Sequence, residues 1–259
     1  MTEKKILVKK FQEFLMNAFP SRQYFFLNGW ILRFTGGITY RANSVFPLNY
    51  MGKTTQIERD LEIVEKAYKS YGLPTIFTMH EYFQPENLDL ILRERGYKED
   101  SHTNALISEI NKVNRSEINM EYDYEFYDHR IDVFSNLLAT YTNKDKEQQK
   151  IIDEIVSRIL ISKKCFIIAK INEKVVSTLM GVLNPEGYIY FSDLLVIPDH
   201  RRKKLATSMI LTLIDNWAVK NKAKYIWLQV EEENHNANQL YKNLGFKKIY
   251  HYYYLISHQ

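Results

Sequence analysis

Apolar positions fall at helical spacing in some stretches and at strand spacing in others, and the order of the two kinds points to a fold class. Residues 5–18 place Leu7, Phe11, Phe14, Leu15 and Ala18 on one helical face. Strand-like text follows over 23–35, and Gly36-Gly37 suggests the turn of a β-hairpin whose second arm begins at Ile38. A helix is predicted over 54–71, with an apolar stripe of Ile57, Leu61, Val64 and Tyr68 and stop signals at Gly72 and Pro74. A short strand over 75–79, a helix from about Pro85 closed by Gly96, and a strand over 104–107 complete the first half. The polar run KVNRSEINM then reads as a connection, so the chain is divided into domains 1–115 and 116–259.

The second half reads as a strand over 121–126, helices over 129–141 and 146–161, and strands over 165–171 and 175–183 joined at Asn172-Glu173. A strand over 188–197 leads into a helix carrying Leu205, Met209, Ile210, Leu213, Ile214 and Trp217 on its apolar face. A strand over 224–230, a short helix over 237–244 ended by Gly245 and a final strand over 246–256 follow. Alternation of this kind is the mark of an α/β protein. The halves also end alike: 91–107 aligns without gaps on 240–256, matching Gly96 with Gly245, Tyr97 with Phe246, His102 with His251 and Leu106-Ile107 with Leu255-Ile256. Two copies of one supersecondary unit would produce this.

Composition narrows the function classes. With 259 residues, 45% hydrophobic and 25% charged, the chain is an ordinary globular protein. Its net charge of +4 is too balanced to suggest nucleic acid as a partner. No run of apolar residues is long enough for a membrane span, and no signal peptide is evident, so the expected setting is cytoplasmic. The one cysteine, Cys165, sits in an apolar run and reads as a buried thiol; a cysteine-based metal cluster is excluded, and no metal is expected.

The chemistry starts at Pro198. Arg201, Arg202, Lys203 and Lys204 stand where the helix carrying Leu205 begins. A helix start is already partly positive, so four cations there work against the dipole unless an anion docks on them. The stretch resembles the acyl-CoA signature of the GNAT superfamily of N-acyltransferases, in which V-x-P leads into R-x-x-G-x-G/A. Val196, Pro198, Arg201, Leu205 and Ala206 take the matching places, while Arg202 and Lys204 stand where the family commonly has glycine. A second stretch resembles the family's N-x-x-A-x-x-L-Y-x-x-L-G-F motif without departure, at Asn234, Ala237, Leu240, Tyr241, Leu244, Gly245 and Phe246. The block over 29–48 resembles the start of certain two-part bacterial GNAT proteins.

This resemblance, which covers roughly 120–257, implies a GNAT fold in two tandem copies, each a mixed sheet flanked by helices, the first copy degenerate and without catalysis. It implies acetyl-CoA as cosubstrate and transfer of the acetyl group to a primary amine by direct attack in a ternary complex. Leu195, Val196 and Ile197 would hold the pantetheine arm, with one N–H donating to the oxyanion. Arg201, Arg202, Lys203, Lys204, Leu205, Ala206 and Thr207 would grip the diphosphate. Asn234 would bind the arm, cap a helix, or both. Tyr241 would contact the cofactor and act as general acid, its ordinary pKa near 10 keeping the phenol protonated. Asp193 and Glu231 are the candidate bases, with solvent as the other route. Arg33, Arg41 and Asn43 would meet an anionic acceptor or fix the hairpin onto the second domain. The rival readings are a non-catalytic acyl-CoA binding module and an aminoacyl or thiol-acceptor transferase. The acceptor is not legible, and a homodimer is compatible with the sequence.

Overall fold

The computed structural model describes residues 3–257. After helix α1 (Glu3–Ala18), strands β1 (Gln23–Leu27) and β2 (Trp30–Phe34) pair antiparallel with Leu27 opposite Trp30. The hairpin therefore turns at Asn28-Gly29, both left-handed at φ 45° and 84°, and not at Gly36-Gly37 as the sequence suggests. Asn-Gly suits a two-residue turn whose twist matches the strands. Gly29 is also needed for space: a Cβ there would lie 1.5 Å from the Asn49 carbonyl oxygen. Beyond Gly37 the expected second arm is only a 3₁₀ turn at Tyr40–Ala42 and the two-residue strand β3 (Val45–Phe46).

Next come α2 (Ile57–Ser70), β4 (Ile76–His80), α3 (Leu88–Glu94) and β5 (Lys98–Glu109), the last much longer than its apolar core 104–107 suggests. The second half has β6 (Asp123–Tyr127), α4 (Asp132–Tyr141), α5 (Lys146–Ser157), β7 (Lys164–Ile171), β8 (Lys174–Leu183) and β9 (Tyr188–Val196). Helix α6 (Leu205–Thr212) continues into a wider π turn at Leu213–Ala218, and β10 (Tyr225–Glu231), α7 (His235–Asn243) and β11 (Lys247–Ile256) close the chain. The turn between β7 and β8 is at Asn172-Glu173 as the sequence predicts, with φ of 49° and 62°.

Two compact units form, and the chain does not pass between them at a single point. The first holds the residues up to Asn104, Glu231–Glu233 and the chain from Tyr250 on; the second holds Ala105–Val230 and Asn234–Ile249. Residues 105–115 thus group with the second unit, and the C-terminal strand from Tyr250 on with the first. In the first unit β11 lies antiparallel on β4, with Tyr252 opposite His80. Its core gathers Trp30, Leu61, Tyr68 and Phe77 around Leu255. In the second unit β6, β7, β8 and β9 form an antiparallel meander, and β10 runs parallel to β9. Helix α6 packs on β8 and β9, burying Met209, Ile210, Leu213 and Ile214 against Val176, Phe191 and Ile226. In each unit strands pair both parallel and antiparallel, and helices flank them.

The repeat read from the sequence is repeated in the hydrogen bonds. At the end of α3, Gly96 N–H donates to Arg93 O at 2.9 Å and Tyr97 N–H to Leu92 O at 3.0 Å. At the end of α7, Gly245 N–H donates to Lys242 O at 3.0 Å and Phe246 N–H to Tyr241 O at 3.0 Å. Each bond has its counterpart at an offset of 149 residues, and the two glycines share a left-handed backbone at φ 85° and 87°. Leu92 is therefore the counterpart of Tyr241: where the second copy carries a phenol, the first carries only a hydrocarbon.

Candidate active site

The site is organised by a break in the sheet of the second unit. β9 pairs with β10 over Tyr188–Tyr190 opposite Tyr225–Trp227. On its other side β9 keeps to β8, but with a bulge: Thr178 faces Leu195 and Met180 faces Ser192, so Asp193 and Leu194 share the single space opposite Leu179. Asp193 takes a left-handed φ of 56° to make that bulge. Two hydroxyls of β8 secure it, Thr178 Oγ1 donating to Asp193 O at 2.9 Å and Ser177 Oγ to Leu195 O at 2.6 Å. Beyond Tyr190, then, one edge of β9 parts from β10 while the other is pinned.

Of the three residues predicted to offer that edge, Leu195 and Val196 lie on it, but Ile197 does not present a donor. Its N–H is already bonded to Val176 O at 3.0 Å and its side chain is buried. The Val196 carbonyl accepts from Arg201 Nε at 3.0 Å, so part of that guanidinium is used to fold the loop back on the strand.

The cationic loop has the backbone of a glycine loop without the glycines. After a 3₁₀ turn at Pro198–His200, Arg202 and Lys204 are left-handed at φ 63° and 60°. Holding a residue with a Cβ there costs about 1–2 kcal/mol. Arg201, Arg202, Lys203 and Lys204 are all exposed. Lys204 is the N-cap of α6 yet caps no N–H with its side chain, and the first turn contains no acidic residue. The N–H groups at Leu205, Ala206 and Thr207 begin the helix and lack an intrahelical partner by construction. An anion-binding start of this kind fits a diphosphate. The loop is also strapped from behind: Asn119 Nδ2 donates to Lys203 O at 3.3 Å, Asn119 N–H to Ser208 Oγ at 2.9 Å, and Tyr122 Oη lies 3.0 Å from His200 Nδ1. Nothing in the sequence pattern marked Asn119 or Tyr122.

Tyr241 lies on α7 and is buried, with its ring edge-on to Phe191 at 5.9 Å between centroids and 5.8 Å from Phe246. Burial, helped by Tyr190, pushes its phenol above the usual tyrosine range. Asn234 is the N-cap of α7, its Oδ1 accepting from Ala237 N–H at 3.2 Å, so the capping role is filled.

The two candidate bases have different surroundings. Asp193 is ion-paired with Arg130, Oδ2 to Nη1 at 3.4 Å. Glu231 is exposed at the end of β10, groups with the first unit, and lines a cleft of about 330 Å³ there with Tyr40, Arg41, Tyr252 and Tyr254. Cys165 is buried, and burial raises its thiol pKa to about 12, which removes it as a nucleophile.

Arg33 and Asn43 are bonded within the first unit. Arg33 is fully buried, with Nε donating to Ser21 Oγ at 2.8 Å, Nη1 to Arg41 O at 2.7 Å and Nη2 to Phe19 O. Asn43 Oδ1 accepts from Thr35 N–H at 2.6 Å and Gly37 N–H at 3.0 Å, and Nδ2 donates to Thr39 O at 2.8 Å. Neither can reach out to an acceptor. No helix among the described residues is long and apolar enough to cross a membrane.

A parted pair of parallel strands, a left-handed cationic loop and an open helix start define an acyltransferase domain of the GNAT class. Residues 124–246 match the model described as the acetyltransferase (GNAT) family, and residues 8–125 match one described as probable histone acetyltransferase Rv0428c, C-terminal. A Bacillus subtilis (strain 168) protein named uncharacterized N-acetyltransferase YobR is 28% identical over 255 residues, covering 96% of this chain and 98% of that one. The solved GCN5-related N-acetyltransferase from Kribbella flavida is similar in fold, with a TM-score of 0.65 at 14% identity over 97% of this chain and 95% of that one. So is a tandem GNAT protein from the clavulanic acid biosynthesis pathway, with a TM-score of 0.56 at 10% identity over 80% and 71% of the two chains. Residues 124–246 are thus a GNAT acetyltransferase domain, of a family that uses acetyl-CoA. The chain is in two parts, this domain preceded by an Rv0428c-like one.

Proposed function

We propose that this protein transfers the acetyl group of acetyl-CoA to a primary amine by direct attack in a ternary complex. The observation that carries the proposal is the left-handed loop at Arg202 and Lys204, which leads into the uncapped start of α6. The diphosphate sits there, against the first-turn N–H groups and the four cations. The pantetheine arm runs along the parted edge of β9 at Leu195 and Val196, and Asn234 meets it from the start of α7.

In the reaction the amine nitrogen, once deprotonated, attacks the thioester carbon. The carbon–sulfur bond breaks, and the leaving thiolate takes the phenol proton of Tyr241, whose raised pKa keeps that proton in place until the sulfur needs it. A strand N–H on β9 stabilises the oxyanion. Asp193, committed to Arg130, holds the ammonium in place and does not act as the base. The amine proton leaves to solvent.

Calorimetry with coenzyme A and acetyl-CoA, paired with thiol release over an amine panel, tests the reading. Binding with turnover on at least one amine supports it. Binding with no turnover on any acceptor makes the protein an acyl-CoA binding module, and no binding at millimolar coenzyme A ends both readings.

A further inference from the structure

Arg130 is the least explained charged residue of the second unit. It precedes α4, and its side chain is 5% exposed. Nε donates to Ser135 Oγ at 3.1 Å and lies 3.1 Å from Asp153 Oδ1 on α5; Ser135 Oγ in turn donates to Asp153 Oδ1 at 2.8 Å. One face of the guanidinium rests on the Phe134 ring, Cζ 5.2 Å from its centroid. Beyond that the network stops. Nη1 is 3.4 Å from Asp193 Oδ2 without a hydrogen bond, and both Nη1 and Nη2 are buried and unpartnered. Gln149 on α5 shares the cluster, with Nε2 donating to Asp153 Oδ1 at 2.9 Å, and its buried Oε1 is also unpartnered.

Native proteins rarely leave a buried guanidinium fork and a buried amide oxygen unmet, because each orphaned group keeps its full desolvation penalty. The open groups are specific in kind. The fork wants a planar oxygen acceptor, and Gln149 Oε1 wants an N–H donor. Asp193 stands 3.4 Å from the fork, on the bulge of β9, the strand assigned to the thioester. Charge then narrows the ligand. One cation faces two carboxylates, Asp153 and Asp193, which leaves one negative charge uncompensated. A further carboxylate would add a third anion to one cation, whereas an ammonium would neutralise the site.

We infer that Arg130, Asp193 and Gln149 form the acceptor subsite and select an α-amino amide: a primary amine with an uncharged carbonyl oxygen next to it. The ammonium lies between Asp193 and Gln149 Oε1, and the neighbouring carbonyl oxygen accepts from the Arg130 fork. Arg130 is a specificity-determining residue, and the inference rests on the acetyl-transfer reading given above.

Three probes of similar size separate the alternatives: L-alaninamide, isopropylamine, which lacks the carbonyl, and L-alanine, which carries a carboxylate. With rates referred to the unprotonated amine, wild type should prefer alaninamide to isopropylamine by at least ten-fold in kcat/KM and alaninamide to alanine by a similar margin. In Arg130→Lys and Arg130→Met the first ratio should fall to within two-fold of unity. A ratio near one in wild type, or one that survives both substitutions, overturns the inference, as does a preference for alanine. If the variants do not fold, wild type alone decides: titrating alaninamide into the protein–coenzyme A complex should shift the Arg130 side-chain nitrogen resonances, and isopropylamine should not. Unmoved resonances mean that ordered water alone meets the fork, and the inference fails. Calorimetry with coenzyme A on the same samples keeps the two questions apart. Loss of cofactor binding overturns the acetyl-transfer reading and this inference together, whereas normal binding with a flat ratio overturns this inference only.

Discussion

Arg202 and Lys204 share a left-handed backbone, with φ of 63° and 60°, on either side of Lys203. These are the two positions where the matching family signature commonly carries glycine. The chain has kept the loop's shape while exchanging two residues that adopt it easily for two that do not. What the exchange adds is two positive charges at a helix start with no side-chain cap.

Arg202→Gly and Lys204→Gly should therefore separate stability from binding. Each should stabilise the fold by roughly 1 kcal/mol, raising Tm by about 2–4 °C, because a strained backbone relaxes. Each should also weaken acetyl-CoA binding, by about three- to ten-fold at low salt, with the loss shrinking as salt is added. Thermal melts and calorimetry on the same samples check both halves.

Tyr241→Phe should lower kcat by about 100-fold or more while leaving acetyl-CoA affinity within about two-fold, as expected for a proton donor acting on the leaving group. Since burial raises the phenol pKa, the protonated form persists through the usual tyrosine range. The alkaline limb of the wild-type kcat profile should accordingly lie above about pH 10. A limb near pH 8 would assign it to another group.

His80 predicts acid sensitivity of the first unit. It is 1% exposed, its Nδ1 accepts from Tyr82 N–H at 3.0 Å, and burial depresses its pKa to about 3. Below about pH 6.5 the unfolded chain takes up a proton that the folded one refuses, so stability falls as pH drops from about 6.5 towards 3. Between pH 6.5 and 5 the loss should reach up to about 2 kcal/mol. His80→Asn keeps an acceptor for Tyr82 and should remove most of that slope in urea melts at the two pH values.

Asn43→Ala should cost about 2–4 kcal/mol, since it strands the N–H groups of Thr35 and Gly37. Urea midpoints should report the loss. Calorimetry should show acetyl-CoA affinity unchanged in the folded fraction, which separates this residue from an acceptor-binding role.

Gly96→Ala and Gly245→Ala should cost about the same, roughly 1–2 kcal/mol each. Neither position is crowded: nothing lies within 4 Å of a Cβ at Gly96, and the nearest atom to one at Gly245 is Lys112 O at 3.4 Å. The penalty comes from φ alone. Unequal midpoint shifts in denaturant would break the equivalence of the two helix ends.

Much of the architecture was legible because it rests on local rules. The helix stripes at Ile57, Leu61, Val64 and Tyr68, the turn at Asn172-Glu173 and the closing glycines 96 and 245 all fell where period and turn chemistry put them. The first hairpin was misread because Gly36-Gly37 drew the turn away from Asn28-Gly29, although Asn-Gly is the stronger signal for a two-residue loop. Within the candidate site, the motif residues were visible because they lie in two contiguous stretches. Arg130, Asn119 and Tyr122 were not, since their partners are 63, 84 and 78 residues away at Asp193, Lys203 and His200. No local pattern marks a residue whose meaning depends on a distant neighbour. Ile197 shows the converse, a motif position whose N–H the fold had already claimed.

The last strand groups with the first half of the chain, β11 lying on β4 with Ile256 opposite Ile76. A ribosome that has finished the N-terminal half has thus not yet made the strand that seals its interior. That half must wait, open on one side, until β11 is made. A nonsense change ahead of β11 would accordingly undo a region made well before it, and a truncation meant to isolate the N-terminal portion would leave β4 without this partner.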